Sequence, residues 1–247
     1  MSHHKEVAWL LQEKYHGEQT PEFHKDSARL LSGEPLAYLI GHIPFLSATI
    51  WLDSRPLIPR VETEYWVEKL ISHYRRQSTA PRSILDLCAG SGCIGVTLGM
   101  AFPDAAITFA EIDNAHHTTI TKNCFLNHLS PSRFSIVGGD LFTDIPPVRF
   151  SLIVSNPPYV DPEHDRTTAS VRHYEPALAL YGGQNGLAHL KKIITDAPHF
   201  LSLGGELWLE HEPEQSVAVR EIGREKFTVH THIDQYGHER FTQLMLQ

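Results

Sequence analysis

Ile84-Leu-Asp-Leu-Cys-Ala-Gly-Ser-Gly-Cys-Ile-Gly95 is an apolar run that stops in a glycine-rich turn and resumes as a helical pattern. Four of its first five residues suit a buried strand, and the two glycines at 90 and 92 suit a tight turn before a helix. The same alternation repeats downstream. Short apolar runs at Ser83–Leu87, Ala106–Glu111, Phe134–Val137, Phe150–Val154 and Glu206–Glu210 are separated by helical stretches near Cys93–Ala101, Ala115–Asn127 and Leu187–Leu201. Strands that alternate with helices predict an α/β fold, a mostly parallel sheet covered on both faces. Phe227–His232 and Arg240–Leu246 read as two last strands, paired antiparallel across Asp234-Gln-Tyr-Gly-His-Glu239.

Upstream the pattern is different. Lys5–Tyr15 and Pro21–Ser32 are short helical candidates with narrow apolar stripes, so they predict a small appendage that packs on something else. Gly33 breaks the second helix, Ile43–Asp53 predicts a hairpin turning near Leu46-Ser47-Ala48, and Glu62–Tyr74 predicts a further helix. The linker Gln77-Ser-Thr-Ala-Pro-Arg82 marks the boundary. The expected division is therefore a helical region over 1–42, a hairpin and linking helix over 43–76, and the sheet domain over 77–247.

Composition narrows the function. The formal charge of −8 offers no basic footprint for a phosphate backbone. Cys88, Cys93 and Cys124 are odd in number and lack a C-x-x-C spacing, and the 17 histidines are scattered without a ligand set, so no disulfide framework and no metal are expected. No apolar run approaches the roughly 18 residues of a membrane span. The start, Met1-Ser-His-His-Lys-Glu6, lacks a signal peptide's apolar core, and a cytoplasmic location is expected.

Two constellations carry chemistry. The first is the turn itself: Gly90 and Gly92 let a ligand approach the backbone, and the end of the first strand of an α/β sheet is where an adenosine-bearing cofactor binds. The spacing is neither G-x-G-x-x-G nor G-x-x-x-x-G-K-[ST], which disfavours nucleotide phosphates. Glu111, at the end of the second strand, is placed to take two ribose hydroxyls, and Asp140, after the third, to accept from an adenine amino group. The second constellation is Asn156-Pro-Pro-Tyr159, directly after the fourth strand. Neither proline can donate to a sheet ladder and each restricts the residue before it, so the chain makes a stiff corner. That corner offers acceptors, the Asn156 side-chain oxygen and the Pro157 and Pro158 carbonyls, to a planar NH₂ group, with the Tyr159 ring beside them.

Asp86-x-Cys-x-Gly-x-Gly92, Glu111, Asp140 and Asn156-Pro-Pro-Tyr159 resemble the ordered motifs of a class I S-adenosylmethionine-dependent methyltransferase. Gly33-Glu-Pro-Leu-Ala-Tyr-Leu39, Leu57-Ile-Pro-Arg-Val-Glu-Thr-Glu64, Glu175-Pro-Ala-Leu-Ala-Leu180, Gly204-Gly-Glu-Leu-Trp-Leu-Glu-His211 and Tyr236-Gly-His-Glu-Arg240 narrow the resemblance to the HemK/PrmC family of protein-(glutamine-N5) methyltransferases. It spans about Gly33 to Arg240. The resemblance implies a Rossmann-like, seven-stranded sheet with an antiparallel last strand, preceded by a small helical region and a hairpin. It implies S-adenosyl-L-methionine as cofactor and S-adenosyl-L-homocysteine as product. The cofactor would lie over Cys88, Ala89, Gly90, Ser91 and Gly92, with Asp86 and Asn156 also on its side, Glu111 on the ribose and Asp140-Leu141 near the adenine. Asn156, Pro157, Pro158 and Tyr159 would hold the acceptor, the glutamine of a Gly-Gly-Gln tip in a peptide chain release factor. Tyr159 would pack on the amide or the cofactor methionine. No direct nucleic-acid partner and no membrane are implied. Cys88 stands where the family usually has glycine, Val61 where proline usually follows arginine, and the region before Gly33 is about half the usual length. Gly182-Gly-Gln184 matches a glycine-rich family segment, not a self-modification site.

A carboxamide nitrogen is a weak nucleophile because its lone pair is shared with the carbonyl, and no residue of the corner is a strong base. Position must then substitute for basicity, and orientation can contribute on the order of 7–11 kcal/mol. An adenine N6-methyltransferase acting on nucleic acid shares the corner motif but lacks support from the charge and from the other segments. A non-catalytic cofactor-binding docking protein would not need an intact Asn156-Pro-Pro-Tyr159.

Overall fold

The computed structural model describes residues 3–77 and 79–247; Ser78 of the expected linker lies outside the described residues. The chain opens with α1 (His3–Tyr15), α2 (Pro21–Leu31) and α3 (Leu36–Ile40). Thr20 caps α2 by accepting from Phe23 N–H, and Pro21 occupies the first helical position, where a missing N–H costs nothing. These helices close around Leu10, Phe23, Leu30 and Leu39, a small core of their own.

The hairpin of β1 (His42–Phe45) and β2 (Ala48–Trp51) follows, and then α4 (Val61–Arg76). Its outer edge is paired by side chains. Asn123 and Asn127 of α6 (Ala115–Leu126) accept from Trp51 N–H and Thr49 N–H and donate back to the same residues' carbonyls, so a helix face substitutes for a strand. Asn123 also donates to Ser91 O, which ties the hairpin to the glycine turn.

The remaining elements are β3 (Ser83–Leu87), α5 (Cys93–Ala101), β4 (Ala106–Ala110), β5 (Phe134–Val137), β6 (Phe150–Ser155), α7 (Ala169–Tyr174), α8 (Ala188–Asp196), β7 (Leu201–Glu210), α9 (Ser216–Gly223), β8 (Phe227–Ile233) and β9 (Glu239–Leu246). Seven strands form one sheet in the order β5-β4-β3-β6-β7-β9-β8. All neighbours from β5 to β7 are parallel, and β9 runs antiparallel to both β7 and β8. The order reverses between β3 and β6, and that is where an open α/β sheet leaves a crevice at its carboxyl ends. Alternate strand residues separate two apolar layers. Ile84, Leu152, Val154 and Trp208 face Trp66, Leu70, Val96 and Leu98, while Leu85, Leu87, Ile153 and Leu207 face Leu190, Ile193 and Val219.

The expected helix over Leu187–Leu201 is shorter. It ends at Asp196, a 3-10 turn over 197–199 carries Pro198, which cannot continue an α-helix, and Leu201 already begins β7. The reading missed α3, α7 and α9. Among the described residues no helix is long and apolar enough to cross a membrane.

Candidate active site

Both chemical constellations emerge at the reversal point of the sheet, one after β3 and the other after β6. Ile84 to Leu87 pair with Leu152 to Ser155 residue by residue, so the two exits lie side by side. Ser155 Oγ fixes this junction by donating to Leu87 O at 2.7 Å.

The glycine turn is built from residues in left-handed backbone geometry, with φ of 62° at Cys88, 54° at Gly90 and 77° at Gly92. A side chain at Gly90 would meet open space, so its glycine is needed for backbone angle and for leaving the turn bare toward a ligand. Cys88 adopts the same geometry with a side chain, at a cost of about 1–2 kcal/mol, which explains why a glycine is the easier residue there. Burial raises the pKa of its thiol, and the Glu111 charge adds to this, so it remains a neutral wall of the site.

One cavity is bounded by Cys88, Gly90, Glu111, Asp140, Leu141, Asn156 and Pro158. Glu111 is a buried carboxylate whose two oxygens accept from Gly90 N–H at 2.7 Å and Asp113 N–H at 2.9 Å. Each oxygen keeps a second lone pair for a ligand hydroxyl. Asp140 is exposed at the lip and Leu141 is buried with φ 52°. Apolar surfaces the sequence reading did not assign complete the walls: Leu57, Ile112, Pro176 and Leu178. A buried carboxylate holds two of these walls together, because Glu175 accepts from Ile58 N–H at 3.0 Å and pairs with Arg60 at 2.8 Å. That interaction gives the Leu57–Glu64 and Glu175–Leu180 segments a common purpose.

Not every expected residue reaches the cavity. Asp86 is fully buried beneath the turn, where its Oδ2 accepts from Gly95 N–H at 2.8 Å. Ala89, Ser91 and Gly92 lie in the turn but not in the cavity wall, and Pro157 is buried between the corner's two contributing residues. Tyr159 does not line this cavity but borders a neighbouring one with Asp161, Asp165 and Glu212. Its hydroxyl donates to the buried Glu210 Oε1 at 2.8 Å.

The corner is held rigidly from behind. Gln215 Nε2 donates to Tyr159 O, and Val160 exchanges backbone hydrogen bonds with Leu180 and Gly182. A side chain at Gly186 would sit 2.0 Å from Tyr159 O, so the glycine-rich segment is there to let two backbones meet. The Gln184 side chain lies outside the described residues. Asn156 is half-buried, and its Nδ2 donates to Thr63 Oγ1 at 3.1 Å, which leaves Oδ1 as the polar atom it can offer the cavity. Among the described residues no group of three or more His, Cys, Asp or Glu is arranged to hold a metal ion.

A family model described as the methyltransferase small domain matches residues 67–179. The chain is 36% identical over 219 residues to the release factor glutamine methyltransferase of Bordetella pertussis, an alignment that covers 87% of this chain and 79% of that protein. It is 34% identical over 191 residues to the release factor glutamine methyltransferase of Francisella tularensis, covering 77% and 66% respectively. The ribosomal protein uL3 glutamine methyltransferase of the same organism is 36% identical over 177 residues, covering 72% and 56%. The N-terminal domain of human METTL16, solved in complex with SAH, superposes with a TM-score of 0.57 at 18% identity, covering 98% of this chain and 94% of that one, a likeness of fold.

Proposed function

The chain belongs to the release factor glutamine methyltransferase family, and from that premise we propose that it transfers a methyl group from S-adenosyl-L-methionine to the side-chain amide nitrogen of the Gly-Gly-Gln glutamine in a peptide chain release factor. The observation that carries this reading is the meeting of two parts in one cavity: a bare glycine turn beside a buried carboxylate, and an asparagine whose NH₂ is already committed elsewhere.

The residues present fit the cofactor. Open space above Gly90, the spare lone pairs of Glu111 and the apolar faces of Leu57, Ile112, Leu141 and Leu178 suit an adenosine with its ribose hydroxyls. In this reading Glu111 takes those hydroxyls and Asp140 with Leu141 borders the adenine. When bound, the cofactor supplies an electrophilic methyl group. Asn156 Oδ1 accepts an N–H of the substrate amide beside Pro158 in the cavity wall, which fixes its nitrogen and stabilises the positive charge that grows there, while the buried Pro157 holds the two residues in place. Rigidity replaces a base, and the proton leaves afterwards to water. Asp86 and Tyr159 act from behind the wall, one holding the glycine turn and the other the corner. The same reading divides the chain at about 42 and 76, with the methyltransferase domain following.

The test is incubation with labelled cofactor and a release factor, followed by mass-spectrometric mapping. Label on the Gly-Gly-Gln glutamine is expected. Label on ribosomal protein uL3 alone, or on adenine in nucleic acid, overturns the proposed substrate.

A further inference from the structure

Behind Asn156 lies a buried chain of polar groups that the proposed reaction does not itself use. Glu210, at the end of β7, is wholly buried, and so is Thr63 in the first turn of α4. Thr63 Oγ1 donates to Glu210 Oε2 at 2.7 Å, Trp66 Nε1 donates to the same oxygen at 2.6 Å, and Tyr159 donates to Oε1 at 2.8 Å. The near end of the chain is Asn156 Nδ2, 3.1 Å from Thr63 Oγ1.

The direction of each hydrogen bond follows from chemistry. A tryptophan N–H can only donate, so Glu210 Oε2 accepts where it meets Trp66 and Thr63, both in the ionised carboxylate and in an acid whose proton sits on Oε1 beside Tyr159. The Thr63 proton is therefore spent on Glu210, and toward Asn156 the hydroxyl has only a lone pair to show. An asparagine amide has two faces of nearly equal shape but opposite polarity. Turned one way, it gives Nδ2 to Thr63 and Oδ1 to the cavity. Turned the other way, two oxygens would face each other without a proton, in a place shielded from water.

We infer that Thr63, polarised by Glu210, is a positioning residue that sets which way round the Asn156 amide stands, so that an acceptor and not a donor faces the substrate nitrogen. This inference rests on the role proposed for Asn156. It gives one purpose to three separate stretches of sequence, Leu57–Glu64, Asn156–Tyr159 and Gly204–His211, which meet only in the fold. A reversed amide would offer N–H groups to the N–H groups of the substrate and would leave the growing positive charge without an acceptor.

The experiment compares Thr63→Val, Thr63→Ala and Thr63→Ser with wild type. Thermal unfolding confirms folding, calorimetry gives cofactor affinity, and initial rates on a release factor separate kcat from KM. Val and Ala are expected to lower kcat by about tenfold or more while cofactor affinity and KM stay within about threefold. Ser, which restores the hydroxyl, is expected to recover most of the loss. If Val does not fold, Ala against Ser decides. Turnover near wild type in both Val and Ala overturns the inference, and so does a Ser variant as slow as Ala, which would make the residue's packing the cause. A second readout does not need turnover. The Asn156 NH₂ resonances, assigned by their loss in Asn156→Asp, are expected to exchange with water about tenfold more slowly in wild type than in Thr63→Ala. Equal exchange overturns the inference even if the wild type proves active. A wild type that methylates no release factor defeats the proposed function, while the exchange comparison still judges the orientation.

Discussion

Two buried aspartates, one in the helical region at the start of the chain and one in the sheet, have been treated in opposite ways. Asp26 on α2 accepts from Lys14 Nζ, Tyr15 Oη and Arg29 Nη1, each at 2.7 Å. Burial would raise its pKa, but these donors, two of them cations, outweigh it and hold the carboxyl below the ordinary range. Asp86 on β3 has one donor, Gly95 N–H, and its Oδ1 has no hydrogen-bond partner among the described residues. Burial raises its pKa from the ordinary 3.8 to about 8. Glu210 lies between these cases: it has three donors, as Asp26 does, but all are neutral, and burial still raises its pKa. Burial alone therefore does not decide the state of a carboxyl; the charge of its donors does. The helical region is clamped by ion pairs with exposed partners, whereas Asp86 and Glu210 in the sheet accept only from neutral donors.

The largest effect should come from the pH dependence of the sheet. Because the folded chain prefers Asp86 protonated, this group contributes stability that is present in full below about pH 4 and lost as pH rises toward 8. Asp26 has the opposite sign, present above the unfolded pKa and lost on acidification. Asp86→Asn cannot titrate. Its stability relative to wild type should therefore improve steadily between pH 4 and 8, by an upper bound on the order of 5 kcal/mol. Denaturant midpoints across that range would measure it. Parallel curves would mean that Asp86 is ionised in the folded chain as well, and the contrast with Asp26 would disappear.

The second test asks whether the neutral donors around Glu210 serve the reaction or the fold. Asn156 is half-buried and donates to one of those donors, Thr63, so Asn156→Ala should unfold at nearly the wild-type temperature and bind cofactor nearly as well, yet lose about a hundredfold or more in kcat. Single-turnover rates beside calorimetry would show it, and near-normal turnover would remove the role proposed for the corner. The outer part of this arrangement was legible in the sequence. Apolar runs read as Ser83–Leu87, Ala106–Glu111 and Phe150–Val154 placed the strand ends within one residue of Leu87, Ala110 and Ser155, and Asn156-Pro-Pro-Tyr159 was read as a corner. The inner part was not, because Thr63 and Trp66 reach Glu210 across 147 and 144 residues and no local pattern records such a pairing. Elements escaped notice for a related reason. Helix α7 buries none of its side chains, and α3 has only five residues, so neither leaves the periodic apolar signal on which a sequence reading depends.

Glu111 sharpens the comparison from the cavity side, because its two donors are backbone N–H groups and its spare lone pairs face the place proposed for a ribose. Glu111→Ala should weaken S-adenosyl-L-methionine by about 1.5–3 kcal/mol, the range for hydrogen bonds to a charged group. Calorimetry measures this directly. Unchanged affinity would reassign the carboxylate to holding the turn through Gly90.

The smallest effect is expected where the charges are most exposed. Arg29 donates to Asp26 and to both oxygens of Glu34, so by count of hydrogen bonds it is the centre of the helical clamp. Its side chain is nevertheless 50% exposed, and water and salt screen what it contributes. Its partners also have other donors: Asp26 keeps Lys14 and Tyr15, and Glu34 keeps Arg55. Arg29→Ala should therefore cost less than about 1 kcal/mol, and less still at high salt. The loss should be local. Among the described residues the helical region has a core of four buried apolar side chains, so amide exchange at Leu10 and Leu30 should rise, while exchange at Ile84 and Val154 in the sheet stays as it was. If exchange rose equally in both regions, the helices and the sheet would be opening as one unit. The ion pairs at the start of the chain would then be supporting the corner at Asn156–Tyr159 as well.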